Sequence, residues 1–479
     1  MKEHDKEKEE RHNIVHEATK WVRLNNGLKL RENAGSYSSP RISSEVMDCS
    51  MPMTFDTFSY CSLSCLYCFA YYFKSNNPAI NKEDVHLKSV NIPKMIKAIR
   101  GEEVSGRGKL MYDLFYKNKF LLHIGGLADP FCNFEKTNKV GFPLFKALGE
   151  MDYPTLFSFK GETIFEKEYV KLFEKYSKQK NFAFQISIVT YDEEMARNVE
   201  IGVPSPKQRL KAIKMLSDMG YWTILRLRPY IIGITDESIN ELLEAALEAG
   251  INGVSMEFFA MDVRATEGMK DRYAWISKHI GTKDIMKYFK TLSPSERGGY
   301  MRLNRLVKED HVKTIYNFCA KNDLVFGCSD PDYKELNTSG SCCAMPDVYK
   351  PNRGLENWSR NQLTYHLKEA RKEYHTSKKL IRLHFDDVYP TGVSYLENTN
   401  ITNDHIKVSG MTNAERYEHT YRTMIQGTWN NLNSPSNPRN YFHGKLMPCG
   451  TDDNDNLIFE YQPMEYEERW KKEGINLKR

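Results

Sequence analysis

The sequence predicts an α/β fold in which six parallel strands, each followed by helical chain, curl into a barrel or part of one. Short apolar runs alternate with amphipathic stretches between about residues 51 and 259, which is the rhythm of right-handed βαβ units and a parallel sheet. Those runs stop abruptly at glycine, proline or charged residues, as buried strands do where they turn into loops. The chemically distinctive residues fall at the carboxyl ends of the runs, the face on which such barrels carry function.

Residues 1–44 are a polar extension. Lys2 to Arg11 is a mixed-charge, helix-prone run, and Asn25-Asn26-Gly27 and Gly35-Ser36-Tyr37-Ser38-Ser39-Pro40 are turn material. Met53, Phe55, Thr57 and Ser59 alternate with Thr54, Asp56 and Phe58, so residues 51–60 form a first strand. It feeds straight into a loop containing Cys61, Cys65 and Cys68. A helix follows at Asn91–Arg100. Phe120–Ile124 is a second strand, stopping at Gly125-Gly126-Leu127-Ala128-Asp129-Pro130. Tyr153–Lys160 is a third, followed by a helix over Glu166–Lys178. The fourth, Ala183–Val189, precedes a helix over Pro206–Met219 announced by Pro204-Ser205-Pro206. Trp222–Arg228 is the fifth, with a helix at Asp236–Ala249, and Gly253–Phe259 is the sixth.

Beyond about Arg264 the rhythm stops. Tyr273–Lys290 and Leu306–Lys321 are helical, and Leu324-Val325-Phe326-Gly327 is a last short strand leading to Cys328. From Pro351 the composition shifts to a long helical segment at Asn361–Lys379 and then loop-rich chain. The chain therefore divides into the extension at 1–44, the barrel at 45–265, a helical extension with a cysteine cluster at 266–350, and a C-terminal extension at 351–479 that is a candidate substrate-binding region.

The hydrophobic share of 40% and the aromatic share of 12% are those of a globular protein with a sizeable core. A net charge of +5 spread over 479 residues does not by itself argue for nucleic acid, because a basic footprint has to be local. Met1 opens onto charge with no apolar stretch behind it, so no secretory signal is expected. No run approaches the ~20 apolar residues of a membrane span. The expected compartment is the cytoplasm, where the ten cysteines are more often metal-binding or catalytic than disulfide-bonded.

Cys61, Cys65 and Cys68 are separated by three and then two residues, with Tyr67 directly before the third. Thiolates are the usual ligands of iron–sulfur clusters, and a loop offering three leaves one iron of a cubane open for chemistry. A structural zinc ion wants four ligands, normally two close pairs, and no partner pair sits at the right distance downstream. Three cysteines buried in a core are the bland alternative.

This loop and the strand placement resemble the radical S-adenosylmethionine enzymes, whose fold is a partial (β/α)6 TIM-type barrel. Over residues 45–265 the chain is most similar to the branch of spore photoproduct lyase and photolyase-like proteins. The similarity runs through Asp129-Pro130, Lys160, Val203-Pro204-Ser205-Pro206 with Arg209-Leu210, and Arg228-Pro229 leading to Gly233-Ile234-Thr235-Asp236. The resemblance implies a [4Fe–4S] cluster on the three cysteines and S-adenosylmethionine on its open iron. It also implies a 5′-deoxyadenosyl radical that takes hydrogen from substrate, and an electron donor such as flavodoxin or ferredoxin. Tyr67 and Phe69 then line the adenine, and Gly125 and Gly126 stand in the family's Gly-Gly-Glu loop, where Leu127 replaces the acidic residue. Asp129 or Glu200 is expected to supply that carboxylate instead. Lys160 is placed for the methionine carboxylate, Ser187 for the same group or a ribose hydroxyl, Arg209 for pairing with Glu200, and Arg228 for the cofactor pocket. Cys132 is the candidate hydrogen donor to a product radical. Ordinary turn, helix-cap and strand-end roles remain open for Asp129, Arg209 and Lys160.

Cys328, Cys342 and Cys343 are candidates for a second cluster or zinc, although adjacent cysteines rarely ligate one metal together. Cys319, Cys449 and Cys49 complete the set. Between Arg353 and Arg382, basic residues interleave with Trp358, Tyr365, His366, Tyr374 and His375, a pattern that can follow a phosphate backbone, while Glu356, Glu369 and Glu373 favour a solvated helix face. The expected substrate is a nucleobase or nucleotide in DNA or RNA, in repair or modification. A peptide-modifying radical enzyme with an auxiliary cluster and a non-catalytic iron–sulfur or zinc scaffold are the alternatives.

Overall fold

The computed structural model describes residues 21–23, 29–31, 36–37, 40–42, 51, 53–70, 85–86, 89–102, 106–117, 119–263, 267–292, 294–297, 300–347, 363–388 and 426–479. The expectations for residues 1–20, Cys49, Arg353, Trp358 and Arg360 lie outside these residues.

Seven strands run parallel, each hydrogen-bonded to the next in chain order. They are β1 (Met53–Phe55), β2 (Leu122–Ile124), β3 (Thr155–Phe159), β4 (Phe182–Ser187), β5 (Trp222–Tyr230), β6 (Gly253–Phe258) and β7 (Val325–Cys328). Arg41–Ile42 adds an antiparallel edge beside β1. The sheet therefore ends at Arg41–Ile42 on one side and β7 on the other, which makes it a partial barrel. The seventh strand extends the expected six, because Val325–Cys328 pairs in parallel with Gly253–Met256.

The outward face of the sheet is apolar. Phe157, Phe182 and Phe184 meet Phe173 of helix α3 with ring centroids 5.9, 5.6 and 5.1 Å apart, so aromatic packing fixes that helix on the strands. The helices over this face are α1 (Ile92–Arg100), α2 (Gly141–Glu150), α3 (Lys167–Tyr176), α4 (Pro206–Asp218), α5 (Ile239–Glu248) and α6 (Arg305–Lys321). The Ser205 hydroxyl caps α4 by accepting from the Gln208 amide at 3.2 Å, with Pro206 opening the helix. Helix α2 and a helix at Glu193–Val199 were not expected. The single helix expected over Tyr273–Lys290 is instead two, Glu267–His279 and Ile285–Thr291. Gly281 at φ +72 ends the first, and the Asp284 side chain caps the second.

The inward face is polar, and the segment 341–345 fills it. Gln185 Nε2 donates to the Cys343 carbonyl at 2.7 Å, Ser255 Oγ to the Cys342 carbonyl at 3.0 Å and Trp222 Nε1 to the Ala344 carbonyl at 3.1 Å. Arg228 also donates to the Cys342 carbonyl. A Cβ on Gly327 would stand 2.6 Å from the Ala344 nitrogen and 2.7 Å from the Cys342 oxygen. Gly327→Ala is therefore expected to push the segment out of register and destabilise the fold by roughly 1–3 kcal/mol. Urea denaturation measures this, and an unchanged midpoint would contradict the packing described.

The C-terminal region is more than helices. Helix α7 (Leu363–Ser377) and helix α8 (Glu465–Lys472) pack with an antiparallel sheet of Arg382–Leu383, Leu457–Tyr461 and Leu446–Thr451. Their buried side chains join the same core as the barrel helices. The basic–aromatic stretch falls here, and much of it is internal. Arg371 is fully buried and donates to Tyr316 Oη at 3.0 Å, Lys368 pairs with Asp347 at 3.0 Å, and His375 meets Glu467 at 2.6 Å. Among the described residues no helix is long and apolar enough to cross a membrane.

Candidate active site

A cavity of about 530 Å³ opens at the carboxyl ends of the strands. Cys61, Cys65 and Cys68 form one wall with Tyr67 and Phe69; Gly125, Gly126 and Asp129 form a second; Lys160, Ser187 and Arg228 belong to the remainder. Residues read from the sequence as one cofactor pocket thus meet in one cavity, except for Glu200, Arg209 and Cys132.

Glu200 and Arg209 lie directly behind the cysteine loop. Ser64–Cys65 pairs antiparallel with Glu200–Ile201, and the Leu66 amide donates to the Val199 carbonyl at 2.9 Å. Glu200, 1% exposed, accepts from the Tyr67 hydroxyl and pairs with Arg209 at 2.5 Å and Lys160 at 4.0 Å. Arg209 also donates to the Ser187 carbonyl at 2.6 Å. Lys160 stands 5.4 Å from the Tyr67 ring centroid, a cation–π distance. Burial, with the nearby Cys65 and Glu200 groups, pushes the Tyr67 phenol well above its usual range, so it remains a donor.

The second wall is built by packing. Gly125 has φ +98, and a Cβ there would stand 2.1 Å from the Ser158 carbonyl oxygen, so only glycine fits. Asp129 spends its carboxylate on main chain. Its Oδ1 accepts from the Phe131 amide at 2.8 Å, and its Oδ2 accepts from the Lys160 amide at 2.5 Å and the Gly161 amide at 3.0 Å. Burial raises its pKa, and these bonds and the Lys160 charge oppose the rise.

Cys132 does not line the cavity. It is buried with Phe58 and Phe134, beside Cys61, and the two thiols share a hydrogen bond that, together with burial, pushes Cys61 well above the usual thiol range. Cys328 is buried at the end of β7, Cys319 is buried in α6, and Cys449 is exposed on the C-terminal sheet. Cys342 and Cys343 lie in the filled lumen. Among the described residues no group of three or more histidine, cysteine or acidic side chains is gathered closely enough to hold a metal ion. The fit of Cys61, Cys65 and Cys68 to a cluster rests instead on their chemistry and placement: three thiols on one loop, all facing one cavity.

Three residues escaped the sequence. Asp56, at the end of β1, accepts from the Leu127 and Ala128 amides at 2.7 and 2.9 Å and pairs with Arg41 at 2.7 Å. A carboxylate thus stands behind the loop that carries Gly125, Gly126 and Leu127. Arg272, from the helix Glu267–His279, donates to the Cys65 carbonyl at 2.7 Å and the Ser64 hydroxyl at 3.3 Å. His123 Nε2 lies 2.8 Å from Ser158 Oγ. Burial, then the charges of Arg226, Arg228 and Arg41, lower His123 to about 3. The unfolded chain binds that proton near pH 6.5 and the folded chain does not, so stability is expected to fall as pH drops from 6.5 towards 3. Urea midpoints at pH 7 and 5 test this, since His123→Gln should flatten the difference; an equal slope in both proteins would refute it.

No family model matches the chain, and no curated protein matches it. Solved structures do. The chain is similar to spore photoproduct lyase complexed with dinucleoside spore photoproduct, at 14% identity over 61% of this chain and 79% of that one, with a TM-score of 0.44. It is also similar to Streptococcus suis SuiB bound to S-adenosylmethionine, at 16% identity over 64% and 55% of the two chains, with a TM-score of 0.34. For SuiB bound to the precursor peptide SuiA the values are 18%, 56%, 49% and 0.33.

Proposed function

We propose that the chain is a radical S-adenosylmethionine enzyme acting on a nucleobase or nucleotide of DNA or RNA, in repair or modification. The observation that carries the reading is the three-cysteine loop at the carboxyl end of β1, opening onto a cavity shared with Lys160 and Ser187. Cys61, Cys65 and Cys68 would hold a [4Fe–4S] cluster, and the cavity they line would hold S-adenosylmethionine beside it. The bound pair would supply radical chemistry, reductive cleavage of the sulfonium coupled to removal of hydrogen from substrate, with the electron coming from a donor such as flavodoxin or ferredoxin.

The chain's own residues position and shield. Lys160 offers a point charge to the methionine carboxylate, held near Glu200 at 4.0 Å. Phe69, 49% exposed at the cavity wall, offers a face to the adenine. Leu63, Phe159, Phe258 and Phe259 supply apolar lining that excludes water from the reacting carbon. Reduced, cluster-reconstituted protein mixed with S-adenosylmethionine is expected to release 5′-deoxyadenosine; protein that binds iron but releases none would leave only the scaffold reading.

A further inference from the structure

Across the cavity from Lys160, two arginines lie on one face of β5. Arg226 and Arg228 are two residues apart, so both project inward from the strand, and both line the cavity. They are poorly compensated. Arg226 makes one hydrogen bond, to Ser187 Oγ at 3.4 Å, and no ion pair among the described residues. Arg228 reaches Glu257, 43% exposed, at 3.9 Å and gives another N–H to the Cys342 carbonyl. The Nε atoms of both arginines are buried without a hydrogen-bond partner. Burial, then the Arg228 charge, pushes Arg226 down to about 10, so it stays cationic at neutral pH.

The cavity lining as a whole carries Lys160, Arg226, Arg228 and Arg302 against Asp129 and Glu257. Asp129 is already committed to three amides. Arg226 has no ion-pair partner among the described residues and Arg228 only the exposed Glu257, so the half-buried pair favours a further anion, and each guanidinium presents a fork that matches a carboxylate or phosphate. Two adjacent forks can share the two non-bridging oxygens of one phosphodiester, and a stacking face beside them favours a nucleotide over a bare carboxylate. Tyr300, on the same cavity, adds a face on which a base stacks.

We infer that Arg226 and Arg228 form a phosphate subsite, which holds the backbone phosphate of a nucleic-acid substrate while Lys160 serves the cofactor. This rests on the nucleic-acid reading above and assigns it residues. The test is equilibrium binding to cluster-reconstituted protein. The probes are the dinucleotide TpT, its uncharged methylphosphonate analogue, a peptide with a free carboxylate, and S-adenosylmethionine. TpT is expected to bind at least about tenfold more tightly than the analogue, the effect of a charged hydrogen bond. Arg226→Gln and Arg228→Gln should each remove that advantage, and Arg226→Gln should leave S-adenosylmethionine affinity within about twofold. Arg226→Lys, which keeps the charge and loses the fork, should fall between.

Equal binding of TpT and the analogue to the wild-type chain overturns the subsite. An Arg226→Gln variant that weakens S-adenosylmethionine as much as TpT also overturns it, because the arginine then belongs to the cofactor. If only the peptide carboxylate binds, and does so through Arg226, the phosphate assignment and the nucleic-acid reading fall together. Release of 5′-deoxyadenosine is independent of all these outcomes and reports on the radical class alone.

Discussion

Cys65→Ala is expected to abolish 5′-deoxyadenosine release while leaving the fold in place. Cys65 is 7% exposed, and burial, opposed by the Lys160 charge, pushes its thiol up to about 12. A thiol so protonated is a poor nucleophile at neutral pH, and coordination to iron is what draws it into the thiolate form. The backbone at this position is held independently of the sulfur, by the pairing with Glu200 and by the Arg272 guanidinium on the carbonyl. On the proposed function, alanine therefore removes a cluster ligand and keeps the loop. Iron and sulfide bound on reconstitution should drop sharply, and the urea midpoint should move by about 1 kcal/mol or less, as for an ordinary substitution. A variant that still makes the nucleoside at the wild-type rate would remove Cys65 from the cluster.

Arg209→Ala carries the largest expected effect on stability. Arg209 and Glu200 are 2% and 1% exposed, and removing one partner of a buried pair leaves an uncompensated charge at a cost of about 3–5 kcal/mol. Lys160, 4.0 Å from Glu200, recovers only part of it. The damage also reaches the cavity, because the same carboxylate anchors the Tyr67 hydroxyl and Lys160. S-adenosylmethionine affinity should fall together with the urea midpoint. Arg209→Lys keeps the charge but cannot serve the Ser187 carbonyl and Glu200 at once, so an intermediate loss is expected. A cost below about 1 kcal/mol for the alanine variant would mean the pair is not closed as described.

The strands were legible because their signal is local. Apolar runs such as Phe182–Ile186 ending at Ser187 announce buried strands whatever surrounds them, and Pro204-Ser205-Pro206 marks the start of α4 by its own chemistry. The cysteine spacing marked the cavity wall in the same way. What stayed hidden depends on contacts distant in sequence. Arg272 looks like any charged residue on a helix until the fold brings it to a carbonyl 207 positions away. Asp56 hides within an alternating strand pattern, and Cys132, close in sequence to the glycine loop, turns away beneath Cys61. Lys368 and Arg371 were read as part of a basic surface, yet both are buried, because their partners Asp347 and Tyr316 come from other segments.

The filling of the lumen by residues 341–345 has a consequence for how this chain can change. In an open barrel the inner face of the strands is left uncovered. Here it is covered by residues 341–345, whose carbonyls accept from Gln185, Arg228 and Ser255. Backbone carbonyls are indifferent to the side chains they carry, so substitutions within 341–345 can leave these hydrogen bonds, and the strands that donate to them, in place. The composition break near residue 265 is thus bridged by hydrogen bonds from three strand residues to the chain beyond it.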